Sequence, residues 1–548
     1  MKYYMNGQLI SAGEGETYLS AARGQFRDMH ALGVRVGGET LPLTETAQEG
    51  VQAALITYES TEGRLIYERS LRFVFLLAAA QLYPDRRVRI EHSLGSGVYA
   101  VINGNTALTP QMVHRIEERM REIVAADLPF EKSVVTREQA IAHFEATGQP
   151  DKVELLRYRP HEKFQLYSLD GMLEYFYGVM APSTGCLGVF ALRFHLPGVV
   201  LQLPDPSAPD RVAPFYDVPK LMKTFAQSAR WNEILDCRNA ADLNRMVEKR
   251  QLREFIRINE ALHEKSIASI ADQFIKSGAR LILIAGPSSS GKTTFSHRLS
   301  IALRVHGLKP MAISLDDYYI DRDKIPFDEN GEQDLERLDT LDVDLFNEHL
   351  VRIMQGETVQ TPIFDFTTGR RSEKTHSVHA EADQPLIIEG IHGLNDELTR
   401  EVERSLKFKI YISALTTLNL DDHNRIRTTD ARLLRRMVRD FQFRGTAPEK
   451  TMSMWPSVRR GEEKYIFPFQ EEADVMFNSS LVYEMAILKK YIYPMLMNLP
   501  TDSPYYTMAR RLVKFLNYFQ SSDVEDEIPI NSILREFIGG CCFYRKDD

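Results

Sequence analysis

One stretch limits what this chain can be more than any other: LILIAGPSSSGKTT, from Leu281 to Thr294. Leu281 to Ile284 are apolar throughout, the pattern of a short buried strand. Gly286 and the SSSG run break it. Lys292, Thr293 and Thr294 then open an amphipathic run, FSHRLSIALRVHG, that reads as a helix. Strand, glycine-bounded loop, Lys-Thr and helix together make the phosphate-binding P-loop, G-x-x-x-x-G-K-[ST]. Gly286 and Gly291 let backbone N–H groups turn inward around phosphate oxygens, and the helix N-terminus adds the positive end of its dipole. Gly286, Pro287, Ser288, Ser289, Ser290, Gly291, Lys292, Thr293 and Thr294 are therefore the expected nucleotide-phosphate site. Within it Lys292 reaches the β/γ-phosphates and Thr293 offers its hydroxyl to Mg²⁺.

Composition bounds the rest. A chain of 548 residues suggests roughly three or four domains. A net charge of −9 argues against bulk nucleic-acid binding. Cys186, Cys237, Cys541 and Cys542 have neither disulfide-framework nor zinc spacing. MKYYMNGQLI at the start does not read as a leader, and no apolar run reaches membrane-spanning length. The expectation is a soluble cytoplasmic protein without a membrane partner.

Along the chain, residues 1–63 are β-rich, with VRVGGETLPL reading as a strand pair around Gly37-Gly38. RSLRFVFLLAAAQLY is a buried helix ended by Pro84, and VRIEHSLGSGVYAVI a strand pair turning at Gly95 to Gly97. TPQMVHRIEERMREIVAADLPF is a helix capped by Thr109 with Pro110 in its first turn, and TREQAIAHFEATGQ another helix with a similar cap. Residues 218–275 are helical and charge-mixed, and Lys249, Arg250 and Arg253 read as a solvated face. LLAAAQLYP, MVHRIEERMREIVAADLPFEK, VTREQAIAHFEATGQPDKVELL and APSTGCLGVFAL resemble the N-terminal half of threonyl-tRNA synthetases. The resemblance implies a TGS-like β-grasp module followed by the synthetase's second additional, editing domain. The editing chemistry does not carry over. The family's H-x-x-x-H pair falls on Arg69 and Phe73, and its later Cys-x-x-x-His on Phe176 and Met180. Phenyl rings and a thioether neither activate water nor bind a metal at neutral pH. His92, His114 and His143 read as structural, and tRNA binding is not expected.

In the second half, MAISLDDYYID, QPLIIEGIHGL, LKFKIYIS and ADVMFNSS add four buried strands. GETVQTPIFDFTTGRR reads as two extended pieces around Pro362. Strands alternating with helices imply a mostly parallel, helix-covered sheet with ligands at the strands' C-terminal ends. DARLLRRMVRDFQFRG carries Leu434, Met437, Val438 and Phe441 on one helical face and Arg432, Arg435, Arg436 and Arg439 on the other. That basic face is either solvated or closes over phosphates. GPSSSGKTT, SLDDYY, TVQTPIFDF, EGIHGL, RRMVRD-x-x-x-RG and AD-x-x-x-NSS together resemble the uridine kinase and phosphoribulokinase branch of P-loop kinases.

That resemblance implies roles residue by residue. Asp316 falls on the catalytic acid, and Arg439 and Arg444 on ATP-phosphate arginines. Arg436 falls on a substrate-side arginine, and Glu389 on an acid facing Mg²⁺ or its waters. Thr293, Glu389 and Asp316 form the implied metal set. On the acceptor side, Glu336 replaces the ribose-binding aspartate, Phe364 a base-contacting tyrosine and Gly369 a base-contacting histidine. Asp316 and Asp317 could instead form a turn, and Glu389 a strand-end ion pair. The expected architecture is an α/β P-loop kinase, 276–500, preceded by α+β modules, 1–63 and 64–217. A helical connector, 218–275, joins them and a helical tail, 501–548, follows. The expected activity is ATP- and Mg²⁺-dependent phosphorylation of a hydroxylated small molecule, a nucleoside first. A sugar or sugar-phosphate kinase, or an RNA-binding factor with a regulatory nucleotide site, stays open. The oligomeric state stays open too, a homo-oligomer included.

Overall fold

Leu281–Ala285 is completely buried, and that burial puts it at the centre of a sheet. In the computed structural model, which describes residues 1–325, 333–334, 336–365, 368–381 and 383–544, it pairs in parallel with Leu386–Glu389 on one side and Lys407–Ser413 on the other. Met311–Ser314 and Val475–Asn478 complete the five-stranded parallel sheet at its edges. All five strands are the apolar runs expected from sequence. The helices Leu252–Ser277 and Lys292–Val305 pack against each other beside this sheet. The C-terminal ends of three neighbouring strands bring the P-loop, Glu389 and the Asp316-Asp317 turn to one edge.

The expected extended pieces around Pro362 form one antiparallel hairpin instead, Val359–Asp365 with Arg370–Val378. Pro362 lies inside the first strand, where a bulge between Pro362 and Phe364 absorbs its missing N–H.

The first residues form a five-stranded sheet in the order Gln8–Ser11, Lys2–Met5, Gln52–Ile56, Gly33–Val36 and Glu39–Leu41, covered by the helix Tyr18–Gln25. The next helix begins at Thr61, capped by Ser60 accepting from Gly63 N at 3.0 Å, so it crosses the boundary expected after residue 63. It packs with a four-stranded antiparallel sheet and with the helix Pro110–Ala125, whose Thr109 cap and Pro110 start are as expected. Three of the four editing-like positions carry apolar side chains, and the fourth is Arg69. Phe73, Phe176 and Met180 are buried, and the Phe73 and Phe176 ring centroids are 5.3 Å apart. Arg69 donates to Val179 O at 2.5 Å. His92 stacks on Phe225 at 3.7 Å, and burial pushes its imidazole down to about 3.

Buried charge locks the two halves together. A short hairpin, Asn419–Asp421 with Asn424–Arg425, reaches from the parallel-sheet half into the N-terminal half. Asn419 donates to Ile90 O at 2.7 Å, and Arg425 reaches Glu68 at 3.1 Å. Lys152, completely buried, lies 3.1 Å from Glu174 and 3.5 Å from Asp421.

At the C-terminus, Arg253 and Arg257 on the long helix bind Asp526 and Glu527. Arg253 is therefore no part of a merely solvated face. After the helix Tyr506–Leu516, the chain has only short helical turns and folds back over the P-loop. Among the described residues no helix is long and apolar enough to cross a membrane.

Phe73→Ala should cost about 3–5 kcal/mol, because it opens a cavity among rigid neighbours. Urea unfolding of the full chain followed by near-UV circular dichroism measures this. An unchanged midpoint would show that the editing-like cavity is not part of the load-carrying core.

Candidate active site

The loop is built to hold its shape. Gly286 lies so close to the neighbouring strand that a Cβ there would sit 1.9 Å from Ile412 O. Ser289 and Gly291 have φ of +59° and +82°, which turns successive N–H groups to one side. The Lys292 ammonium bends back over the loop and donates to Gly286 O at 3.0 Å. Burial pushes its pKa down, opposed by Glu389 and Glu536. Ser289 and Ser290 keep buried hydroxyls that have no hydrogen-bond partner among the described residues. Such orphaned donors in a loop of inward N–H groups suit phosphate oxygens.

The arginine helix, Thr428–Arg444, departs from the expected division of faces. Phe441 is exposed, whereas Arg432 and Arg435 are completely buried. Arg432 makes a bidentate pair with Glu462, one arm at 2.7 Å, and donates to Ser288 O at 3.1 Å. Glu462 in turn accepts from Ser288 N at 3.1 Å. Arg435 pairs with the buried Glu484 and donates to Ser479 O at 2.8 Å. These two arginines hold the loop from beneath and offer nothing to a ligand. Arg436, Arg439 and Arg444 gather on one buried carboxylate, Asp440, at 3.2, 3.0 and 3.6 Å. Arg436 also donates to the Ser288 hydroxyl at 2.9 Å. Asp440 was not singled out from sequence. It is the acid that follows Arg439 in RRMVRD, and it gathers the three cations, of which Arg436 reaches the loop.

Across the edge, Thr293 donates its hydroxyl to Glu389 at 2.7 Å. Burial raises the Glu389 carboxyl, with Lys292 and the Thr293 bond opposing. Burial and then Asp317 raise Asp316, and Lys292 opposes them. Among the described residues no donor bonds Asp316, whereas Asp317 accepts from Phe364 N at 3.5 Å. The two neighbouring acids thus differ: Asp317 contacts the hairpin, and Asp316 does not.

Glu336 lies against the arginine side of this edge. Burial, Glu462 and Asp334 push its carboxyl up to about 7, against Arg436 and Lys292. Its place exists because Gly461 sits in mid-helix, where a Cβ would collide with the Glu336 carboxylate. Tyr319 was missed from sequence. Burial, Asp316 and Glu336 push its phenol up to about 12. Phe364 is buried, its ring 5.6 Å from that of Tyr319. The space beside Gly369 is occupied. A Cβ there would lie 2.6 Å from Arg322 Cδ.

Among the described residues no cluster of three acidic, His or Cys side chains is arranged to hold a metal ion alone. The Thr293 hydroxyl and the Glu389 carboxylate are hard oxygen donors side by side. That set fits Mg²⁺, which keeps several waters and binds through one or two carboxylates plus phosphate.

Residues 281–485 match the Phosphoribulokinase / Uridine kinase family. The N-terminal part is similar to threonine–tRNA ligases. That of Burkholderia lata is 32% identical over 163 residues, 30% of this chain and 26% of the ligase. That of Acidithiobacillus ferrooxidans is 31% identical over 176 residues, 32% of this chain and 27% of the ligase. The chain thus spans about a quarter of the length of the curated relatives it matches. Among solved structures, one titled "Structure of a Possible Uridine Kinase from Bacillus stearothermophilus" is 20% identical, with a TM-score of 0.26 over 38% of this chain and 97% of that one. D-glycerate 3-kinase from Cryptococcus neoformans is 16% identical, with a TM-score of 0.19 over 51% and 89%. Both scores are low, and the fold reading rests on the sheet order and loop geometry.

Arg435→Met strands Glu484 as a buried charge and should cost about 3–5 kcal/mol. The double change Arg435→Met, Glu484→Met should recover most of that loss. Chemical denaturation of the three proteins tests this, and additive losses in the double variant would contradict the buried pair.

Proposed function

We propose that the chain is an ATP- and Mg²⁺-dependent phosphotransferase acting on the hydroxyl of a small molecule, with a nucleoside as the first acceptor class. The observation that carries this reading is the single sheet edge that gathers the P-loop, three arginines on Asp440, the Thr293–Glu389 pair and Asp316, which accepts no hydrogen bond among the described residues. In this reading Lys292, Arg439 and Arg444 hold ATP phosphates and neutralise charge developing on the γ-phosphoryl. Thr293 and Glu389, with Asp316 nearby, hold Mg²⁺, which supplies further neutralisation of phosphate charge. Asp316 takes the proton of the acceptor hydroxyl. Its raised pKa moves it toward the operating pH, where a general base is most effective. Glu336, Arg436 and Phe364 face the acceptor, and Tyr319 joins them.

A sugar or sugar-phosphate acceptor is the second reading. It is favoured by Arg322 filling the space beside Gly369 and by the burial of Phe364, which leaves less aromatic face for a base. The modules at 1–63 and 64–217, the connector and the tail are proposed as a scaffold for this kinase unit. An enclosed aqueous setting such as the cytoplasm is the proposed location.

Incubation with ATP, Mg²⁺ and a panel of nucleosides, sugars and sugar phosphates, reading ADP release, tests the class. Lys292→Ala should remove most turnover, and Asp316→Asn should lower kcat by roughly a hundredfold with little change in ATP binding. Unchanged turnover in either variant would remove that residue from the mechanism.

The carboxylate of Glu336 accepts two hydroxyl bonds better than the protonated form. Acceptor KM should therefore fall as pH rises through about 7. Glu336→Gln should flatten that limb. A pH-independent KM in the parent protein would place Glu336 outside the acceptor site.

A further inference from the structure

The chain beyond the acidic stretch returns to the P-loop. Ile533 is completely buried and packs on Gly291, where a Cβ would lie 2.4 Å from its Cγ2. Glu536 accepts a hydrogen bond from the Thr294 hydroxyl at 2.8 Å. Phe537 lies 5.1 Å from the Arg435 guanidinium, and Phe543 stacks on His297 at 4.9 Å. The segment thus covers the first turn of the P-loop helix, and Thr294 is completely buried beneath it.

A carboxylate in this place has a specific consequence. The first turn of the helix carries donors that an incoming phosphate requires. Here the Thr294 hydroxyl is already given to an anion. The Glu536 charge also acts on Lys292, Arg444 and Glu389, the groups placed around the phosphates. Two anions competing for one donor set in a partly buried site repel strongly. The segment is held at its start by Arg253 and Arg257 on Asp526 and Glu527, and by Arg535 on Glu525 O at 2.7 Å. After Glu536 the chain turns sharply at Gly539 and Gly540, with φ of +97° and +74°.

We propose that the C-terminal segment Ile533–Tyr544 is an autoinhibitory cover, in which Glu536 holds the Thr294 donor that nucleotide phosphate needs. ATP binds tightly only when the segment lifts about its anchored start. The inference rests on reading the loop as the nucleotide site.

The test is direct ATP binding to the full-length protein by titration calorimetry, with adenosine as the uncharged probe. Glu536→Gln, nearly isosteric, and Glu536→Ala should each tighten ATP binding roughly tenfold, the scale of a hydrogen bond to a charged group. Adenosine binding should stay unchanged. Amide hydrogen exchange in residues 533–544 should speed up when ATP binds. Unchanged or weaker ATP binding in both variants, or protection of the segment by ATP, would overturn the proposal and make the segment a wall of the site. Lys292→Ala separates the two ideas. If it binds ATP as tightly as the parent, the loop reading fails and the inference falls with it.

Discussion

Everything at the sheet edge depends on two guanidinium groups buried beneath the loop. A run of Ser288, Ser289 and Ser290 has no stiffness of its own. Arg432 and Glu462 grip Ser288 from both its carbonyl and its amide. Arg435 ties Ser479 O, just past the edge strand Val475–Asn478, to the same helix. Buried ion pairs of this kind contribute little net stability, because desolvation offsets attraction. Their directional geometry is what they add, and a phosphate cradle needs directions more than it needs energy.

The same helix links that cradle to the rest of the molecule. Its N-terminal end follows the hairpin that Glu68 and Ile90 hold from the N-terminal half. Arg511 grips Asp430 in its first turn from the C-terminal helix. Its middle supports the loop, and its far end presents Arg439 and Arg444. The region similar to threonine–tRNA ligases, in which Phe73 and Phe176 pack together, thus touches the start of the helix that carries the cations through the hairpin just before it.

Motif-bearing parts of the site were legible in the residues. Gly286 to Thr294, Asp316 and Glu389 each end a strand or open a helix, and local pattern places them correctly. Asp440, Gly461, Tyr319 and Glu536 were not legible. Asp440 reads as one more charge on a helix that is already highly charged. Gly461 reads as a helix defect until Glu336 is seen against it. Glu536 lies in a stretch without periodicity, and its role comes from a partner 242 residues away.

By itself the sequence determined the parallel sheet, because five short apolar runs separated by helices admit few other arrangements. It determined the phosphate loop as well, because glycines at 286 and 291 with Lys292 behind them form one contiguous device. Only the tertiary structure decided which arginines of one helix lie in the core and which gather on Asp440. Helical spacing assigned Arg432, Arg435, Arg436 and Arg439 to the same face. The depth at which Glu462, Glu484 and Asp440 wait for them is set by other helices, and no local pattern encodes where a buried carboxylate will stand.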